Sequence, residues 1–421
     1  MLNNVKALHQ VMRDAKLTKL QVDNLVSKRL RNVLISAYRY VPYYRESMQK
    51  AGFNPERNYQ GPQDIQFLPI VTKKTFKQMG KNSFIRKGSN TSDCHIDSTS
   101  GSTGIPLTVY RTPYERSIQI AKWLRVLFHN GYSIHHKVMS LSSPARLTEG
   151  QNIVQKFGLL RRQHVNYLLP PQEMVDQLFE YGPDVLYGNR SHLDLMAVEL
   201  EQRGMTYNGL RILAGTAEVI TEHNRSLYRR AFNIELTETY GSVEMGIMAY
   251  QLPNQKYLHL CNDVTLFEFL DNYDQPVPPN TPGRVVVTDL FGKFMPFIRY
   301  DQGDLAAYIL AEDGTKKITR IIGRDDDYAV LPDGSRRPFH DFYEIMDKYD
   351  NIMQFGIIQR TRSRFEVLIV ADETYLSSIH DALLHNLQQK FPPAVTFEII
   401  KVDQIQADPN GKTRMLISEV D

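Results

Sequence analysis

A hydroxyl- and glycine-rich segment near residue 100 is the first part of the sequence that could do chemistry. It reads Asp97-Ser98-Thr99-Ser100-Gly101-Ser102-Thr103-Gly104-Ile105-Pro106. Gly101 and Gly104 allow tight backbone turns that expose N–H groups, and the hydroxyls of Ser100, Ser102 and Thr103 add donors. Such a loop can hold phosphate oxygens, although it lacks the GxxxxGK[ST] pattern of a Walker A loop. Taken alone, the composition is also typical of a plain loop.

A second segment combines a tyrosine, a glycine and two glutamates: Glu238-Thr239-Tyr240-Gly241-Ser242-Val243-Glu244. The carboxylate of Glu244 suits Mg²⁺, which prefers one or two carboxylates together with substrate phosphates. The ring of Tyr240 offers a flat face for adenine. In isolation, a strand end with an exposed glutamate is the favoured interpretation of this segment.

Two charged segments could hold a ribose: Arg299-Tyr300-Asp301-Gln302-Gly303-Asp304 and Gly323-Arg324-Asp325-Asp326-Asp327. A carboxylate accepts hydrogen bonds from vicinal hydroxyls, and a nearby arginine supplies a rigid fork of donors. A charged turn is the alternative for both. The last segment, Asn410-Gly411-Lys412-Thr413, places a lysine after a glycine, which is common in turns.

Apolar spacing predicts the elements that must position these segments. Helices are predicted over 19–40 and 115–130. Short apolar runs at 185–187 and 212–214 are separated by a helical stretch at 190–203. Strand, helix and strand in this order indicate a parallel sheet with crossover connections.

After residue 260 the pattern becomes β-rich. Strands are predicted at 264–270, 285–288, 306–310, 355–358, 365–370 and 395–402, and one further helix is predicted at 376–391. A break near 323–326 divides these runs. We therefore predict an α/β protein with a large multi-layer N-terminal domain, residues 1–322, and a small α+β C-terminal domain, residues 323–421.

The bulk composition excludes several classes of function. A chain of 421 residues is longer than one compact core usually holds. Its 50 basic and 47 acidic residues give a charge of +3, which argues against a dedicated nucleic-acid or anionic-membrane binder. The two cysteines are far apart, and no apolar run approaches 18 residues, so we expect neither a disulfide framework nor a membrane insertion. The cytoplasm is the expected compartment.

The order of the five segments resembles the adenylate-forming superfamily, which includes acyl-CoA synthetases and peptide-synthetase adenylation domains. Within it the chain is similar to the phenylacetate–CoA ligase-like branch, especially to members associated with capsule polysaccharide biosynthesis. The resemblance spans about 41 to 414 and rests on VPYYRESMQKAGFNP, LPIVTKKTF, TSGSTGIPLTVY, MPFIRYDQGD and GRDDDYAVLPDG.

The resemblance implies an ATP site and a mobile C-terminal domain. The residues that would bind ATP are Ser100, Gly101, Ser102, Thr103 and Gly104 at the phosphates, Gly215, Thr216, Ala217, Glu218, Tyr240 and Gly241 at the adenine, and Asp304 with Arg324 at the ribose. Glu244 would bind Mg²⁺. Asp326 matches the hinge of the small domain, and Lys412 matches the lysine that reaches the acid and the α-phosphate.

The activity that the resemblance implies is activation of a carboxylic acid as acyl-AMP, with release of pyrophosphate, followed by transfer to an acceptor. Coenzyme A is one candidate acceptor, and an amine or hydroxyl on a sugar or metabolite is another. The branch also includes enzymes that adenylylate a phenolic hydroxyl of a deazaflavin. A nucleotide-binding homologue without catalysis is the alternative from a different class, and Lys412, Glu244 and Asp304 argue against it.

Two departures from the family pattern concern the acceptor and the loop. Pro106-Leu107 stands where many superfamily members have Pro-Lys, and Leu331–Arg336 replaces an Arg-Gly-Val segment that helps to guide pantetheine in coenzyme A ligases. The acceptor is therefore less closely indicated than the adenylation step. Trp123, Tyr187 and Met245 are candidates for the acid pocket, although residues with such spacing are more often core.

Overall fold

The computed structural model describes residues 2–99, 107–144, 147, 153–324, 328–346, 348–349, 351–371, 373–403, 405 and 416–420. The chain forms two compact units, one of residues 1–131 with 239–321 and one of residues 132–238 with 322–421. Among the described helices, none is long and apolar enough to cross a bilayer.

The described chain opens with helices, which then recur between its strands. The helices are α1 (Leu2–Asp14), α2 (Lys19–Tyr40), α3 (Pro42–Lys50), α4 (Lys73–Met79), α5 (Lys81–Phe84), α6 (Pro113–His129), α7 (Ile153–Lys156), α8 (Pro171–Tyr181), α9 (Arg190–Gln202), α10 (Glu222–Phe232), α11 (Phe339–Met346) and α12 (Ser377–Lys390), with a 3₁₀ helix at Pro62–Phe67.

The strands are β1 (His95–Ser98), β2 (Thr108–Arg111), β3 (Val138–Ser142), β4 (Arg162–Asn166), β5 (Val185–Asn189), β6 (Ile212–Thr216), β7 (Leu236–Ser242), β8 (Gly246–Gln251), β9 (Leu258–Leu260), β10 (Thr265–Leu270), β11 (Gly283–Asp289), β12 (Tyr300–Leu310), β13 (Lys316–Arg324), β14 (Tyr328–Val330), β15 (Arg336–Pro338), β16 (Ile352–Gln359), β17 (Arg364–Ala371), β18 (Thr396–Lys401) and β19 (Leu416–Ser418).

Local sequence explains where the long helices begin. Thr18 caps α2 and Thr112 caps α6, each within a capping box that satisfies two backbone N–H groups. In α6, Pro113 occupies the first turn, where no intrahelical donor is needed. Helix α2 ends at Tyr40 because the chain is extended at Val41 before Pro42.

The first unit is built on antiparallel strands. Their order is β10-β11-β12-β13-β9-β8-β7, where β7 contributes its residues from Thr239 onward. β7 pairs with β8, β8 with β9, β9 with β13, and β11 with both its neighbours, all in antiparallel orientation. A core that includes Leu30, Val33, Phe269 and Val285 packs between helices and strands of this unit.

The second unit combines a parallel sheet with a separate C-terminal core. Its parallel strands have the order β7-β6-β5-β3-β4, where β7 contributes residues up to Glu238. The C-terminal strands have the order β18-β17-β16-β19, and α11 and α12 contribute to a core of their own with Phe342, Phe365 and Leu387. The predicted α/β class and the small separate C-terminal core are confirmed.

Most predicted elements have the expected type. Helix α2 occupies 19–40, and β5, α9 and β6 form the predicted parallel unit, with Val185 opposite Ile212. Strands β16 and β17 pair as expected. The strand predicted at 306–310 begins earlier, at Tyr300, so Asp304 lies within a strand and the charged-turn alternative is wrong. The division into domains at 322 and 323 stays a prediction.

Candidate nucleotide-activating site

The hydroxyl/glycine segment connects the two strands of a hairpin. β1 and β2 are antiparallel, with Ser98 opposite Thr108, and the Thr99 N–H donates to the Leu107 carbonyl at 3.0 Å. The Thr99 hydroxyl accepts a 2.9 Å hydrogen bond from the Leu107 N–H. Residues Ser100 to Gly104 lie outside the described residues. The structure therefore describes the stem that presents this loop.

Arg111 connects that stem to the turn that carries Glu244. Its side chain is buried, and one guanidinium nitrogen donates to the Asp97 carboxylate on β1 at 2.7 Å. The other terminal nitrogen donates to the carbonyls of Val243 and, at 2.8 Å, Glu244. One rigid donor fork thus spans two of the segments that the sequence singled out.

A second buried cation holds the same turn. The Lys122 ammonium, on α6, is fully buried and donates to the Met245 carbonyl at 2.9 Å. Burial lowers the pKa of Lys122, and the charge of Asp289 opposes that shift. The Ser242 hydroxyl accepts from the Met245 N–H at 3.1 Å and closes the turn from within. Three consecutive carbonyls, at positions 243 to 245, therefore accept hydrogen bonds from buried cations.

Glycine is needed on both sides of this turn. A Cβ at Gly241 would lie 2.5 Å from the Gly246 carbonyl oxygen on the paired strand. Gly246 has a φ of 67°, and a Cβ there would overlap the side-chain oxygen of Gln119. Packing alone therefore requires glycine at position 241, within the YGSxE pattern, and at position 246 after it.

Glu244 is buried, with a residue exposure of 7 %. Its Oε1 atom accepts a 2.8 Å hydrogen bond from the Tyr300 hydroxyl, and Tyr300 is itself buried at the start of β12. The interpretation of Glu244 as an exposed strand-end residue is therefore wrong. Sequence reasoning missed Tyr300 because the two residues are 56 positions apart.

Tyr240 and Asp304 are brought into direct contact. The Tyr240 hydroxyl donates to Asp304 Oδ2 at 2.8 Å. Asp304 follows Gly303, which has a φ of 71° and donates its N–H to the Asp301 carboxylate at 2.8 Å. Strand β12 thus carries both the tyrosine that binds Glu244 and the carboxylate that binds Tyr240.

In the second unit, the chain turns sharply where β6 ends. Gly215 and Thr216 are the last two residues of this strand, and a Cβ at Gly215 would lie 3.1 Å from the Leu236 side chain. Ala217 follows with a φ of 72°, in a region that residues with a side chain rarely adopt. Strain of this kind is often found at functional sites, where surrounding contacts hold it.

Glu218 is held by the start of α9. Its Oε2 atom lies 2.8 Å from an Arg190 guanidinium nitrogen, and its Oε1 atom accepts from the Ser191 hydroxyl at 2.8 Å. Arg190 also pairs with Asp194 at 2.7 Å, and all three charged side chains are buried. The spacing of Arg190 and Asp194, four residues apart, was the available sequence signal for this network.

Several predicted site residues have no described geometry. The side chain of Arg324, and all of Asp326 and Lys412, lie outside the described residues. Their roles stay predictions.

The three acid-pocket candidates belong to different parts of the described chain. Trp123 packs at the edge of a small core around Ile118, whereas Met245 is buried in the larger core of the first unit. Tyr187 lies on β5 in the second unit. The first two positions are also explained by core packing, and the acid-pocket assignment stays a prediction.

The chain is similar in sequence to a known domain family and to two named ligases. Residues 336–419 match the CapK C-terminal domain. The phenylacetate–coenzyme A ligase of Thermus thermophilus is 25% identical over 329 residues, covering 73% of this chain and 71% of that protein. The phenylacetate–coenzyme A ligase of Escherichia coli is 23% identical over 346 residues, covering 74% and 73%.

A solved structure with the same fold is that of 2-hydroxyisobutyryl-CoA ligase in the postadenylation state, in complex with R3-HIB-AMP. It is 18% identical, covers 96% of this chain and 90% of its own, and has a TM-score of 0.78. In sequence the chain is therefore similar to phenylacetate–coenzyme A ligases, and it shares its fold with 2-hydroxyisobutyryl-CoA ligase.

Proposed function

We propose that the chain is an ATP-dependent ligase that activates a carboxylic acid as acyl-AMP, releases pyrophosphate and transfers the acyl group to coenzyme A. Its curated relatives are named as coenzyme A ligases. The structural observation that carries the proposal is the pair of contacts in which the buried Tyr300 donates to Glu244 and the buried Tyr240 donates to Asp304, with Arg111 holding the turn of Glu244.

In the reaction we propose, a carboxylate oxygen of the acid attacks the α-phosphorus of ATP, and the bond to the pyrophosphate oxygen breaks. Negative charges converge in that transition state, so positioned donors lower its free energy. Loop N–H and hydroxyl groups of residues 100–104 would bind the phosphates, and the Lys412 ammonium would bind between the acid and the α-phosphate. Residues 215–218 and Tyr240 would contact the adenine, and Asp304 and Arg324 the ribose.

Glu244 is the residue that would hold Mg²⁺. The described residues contain no group of three or more His, Cys, Asp or Glu side chains that could bind a metal alone. A single buried carboxylate nevertheless fits Mg²⁺, because this ion commonly takes one or two carboxylates and completes its shell with phosphate and water oxygens. When bound, the ion would neutralise charge on the phosphate oxygens.

Pyrophosphate exchange with a panel of carboxylic acids tests the proposal. Acid-dependent incorporation of labelled pyrophosphate into ATP is the expected result. Absence of exchange with every acid, together with ATP binding, would favour the non-catalytic homologue. Once an acid is found, acyl transfer is compared with coenzyme A and with amines as acceptors.

Transfer to an amine or hydroxyl of a saccharide or metabolite is the second candidate. It is favoured by the segment Leu331–Arg336, which replaces the family's pantetheine-guiding sequence. Here the segment forms the tight turn of the β14–β15 hairpin, in which the Leu331 N–H donates to the Ser335 carbonyl at 2.8 Å and the Asp333 carboxylate accepts from the Ser335 N–H. Acyl transfer to an amine without coenzyme A would support this candidate.

Replacing Asp304 by alanine is expected to weaken ATP binding by roughly 1–3 kcal/mol, the usual loss when hydrogen bonds to a charged group disappear. Titration calorimetry with ATP measures it. The matched control is Tyr240→Phe, which removes the 2.8 Å hydrogen bond to Asp304 and keeps the carboxylate. Unchanged ATP affinity in Asp304→Ala would show that this carboxylate does not bind the ribose.

Arg111→Met is expected to slow pyrophosphate exchange by about tenfold to a hundredfold, because small misplacements of reacting groups have effects of that size. The side chain touches neither ATP nor acid in this proposal; it positions the loop stem against the Glu244 turn. The control is Arg116→Met, since Arg116 lies 3.8 Å from the same Asp97 carboxylate. Equal losses of exchange rate in both variants would show that Arg111 has no specific positioning role. The same conclusion would follow if the exchange rate of Arg111→Met depended on Mg²⁺ concentration as in the parent protein.

A further inference from the structure

A cavity of about 880 Å³ lies within the first unit, at the base of the β1–β2 hairpin. Its walls come from α1, α2, the segment before β1, the start of α6 and the loop before Phe294. None of the residues proposed above for ATP binding lines it. Its volume is within the range of small-molecule sites.

The lining carries an excess of positive charge. Its five cations are Arg13, Lys28, Arg29, Arg86 and Lys293, and its two acidic residues are Asp93 and Glu115. Glu115 serves as a cap, because its carboxylate accepts from the N–H groups of Thr112, Lys293 and Phe294. With both carboxylates ionised, the five cations of the lining still exceed its two acidic residues by three.

Three of the cations remain available to a ligand. No carboxylate of the described chain pairs with Lys28, Arg86 or Lys293. Arg86 is already oriented, since it donates to the Ser36 hydroxyl at 3.2 Å and stacks 3.7 Å above the Tyr40 ring. Arg29, by contrast, is paired with the buried Asp14.

Aromatic rings lie beside these cations. Phe291 and Tyr114 both line the cavity, and the Arg29 guanidinium lies 4.3 Å from the Phe291 centroid. Arg29 already covers one face of Phe291, so the Tyr114 ring, with 37 % of its surface exposed, is the one that offers stacking to a heterocycle. Lysines bind phosphate as compact point charges. The lining therefore matches a ligand that combines a base with phosphate groups.

We infer that this cavity binds the 3′-phosphorylated nucleotide end of the acyl acceptor, coenzyme A, with Lys28, Arg86 and Lys293 at its phosphates. The inference rests on the proposed transfer to coenzyme A. It assigns the acceptor nucleotide to a place distinct from the ATP residues. The cavity is connected in sequence to the loop proposed to bind phosphate. Its wall includes residues just before β1 and just after β2, and these two strands are the stem of that loop.

The test uses Lys28→Gln combined with Lys293→Gln in the full chain. Both side chains are exposed, so folding is expected to be preserved. The KM for coenzyme A should rise about tenfold, the loss expected for one charge-assisted hydrogen bond. The KM for 3′-dephospho-coenzyme A should change little, and pyrophosphate exchange should keep its rate. Lys74→Gln with Lys256→Gln, two exposed lysines outside the cavity, is the control.

A direct titration makes the inference independent of turnover. Adenosine 3′,5′-bisphosphate, added with saturating ATP, should bind the parent protein and bind the double variant about tenfold more weakly. Equal KM changes for coenzyme A and its dephospho form, or unaltered binding of the bisphosphate, would overturn the cavity assignment. Loss of exchange in the parent protein would instead count against the proposed function, and the titration would still decide the site.

Discussion

Lys412→Ala is expected to lower the rate of adenylate formation by roughly a hundredfold or more, the scale seen when one charge-stabilising donor is removed from a transition state. The prediction rests on the terminal segment Asn410-Gly411-Lys412-Thr413 and its position in the superfamily. A lysine is a compact charge on a flexible stem, which suits it to reach between two oxygens that share negative charge. ATP affinity should remain close to that of the parent protein.

Two assays on this one variant separate a catalytic lysine from a structural one. Pyrophosphate exchange reports the first half-reaction, and consumption of a preformed acyl-adenylate with coenzyme A reports the second. Only the first should be impaired, because we propose that the C-terminal domain moves between the half-reactions. Lys401→Ala, at the end of β18, is the matched control. Equal losses in both assays would mean that Lys412 is structural or that the domain does not alternate.

Glu244→Gln is the second variant with a large expected effect. The substitution keeps the shape of the side chain and an oxygen that can accept from Tyr300, but it removes the charge that would hold Mg²⁺. We expect exchange to fall by about a hundredfold at low Mg²⁺. Part of the rate should return as the Mg²⁺ concentration is raised. The measurement is the exchange rate across a Mg²⁺ titration.

Two controls define what the Glu244 result means. Tyr300→Phe removes the 2.8 Å hydrogen bond to Glu244 and keeps its charge, so its Mg²⁺ requirement should rise less. Glu173→Gln removes an exposed carboxylate on α8 and should have no effect. A parent-like Mg²⁺ titration curve in Glu244→Gln would exclude this residue as the metal ligand.

Local patterns predicted the framework of this protein well. Helix α2 and the β5–α9–β6 unit follow from apolar spacing, because a helix face or a buried strand imposes a period on its own residues. The strand β12 was predicted too short, since Asp301, Gly303 and Asp304 have turn-like composition. Long-range pairing with β11 overrides that local preference.

The residues that hold the candidate site in place could not be predicted from local apolar spacing. Arg111 reaches the Glu244 carbonyl across 133 positions, and Lys122 reaches Met245 across 123. Such contacts arise only once α6 and the β7–β8 turn are packed together, and no local periodicity encodes them. The family resemblance supplied which residues would bind ATP, whereas the structure supplied what holds Tyr240, Glu244 and Asp304.

The turn between β7 and β8 also limits which of its residues can be substituted or labelled. Gly241 and Gly246 have no space for a Cβ, Met245 is buried, and Ser242 and Glu244 bond to their neighbours. Val243, with 39 % of its surface exposed, is the residue of this turn whose side chain reaches solvent. It is therefore the place where a fluorophore could report on the adjacent carboxylate without displacing it, and where related sequences are freest to differ.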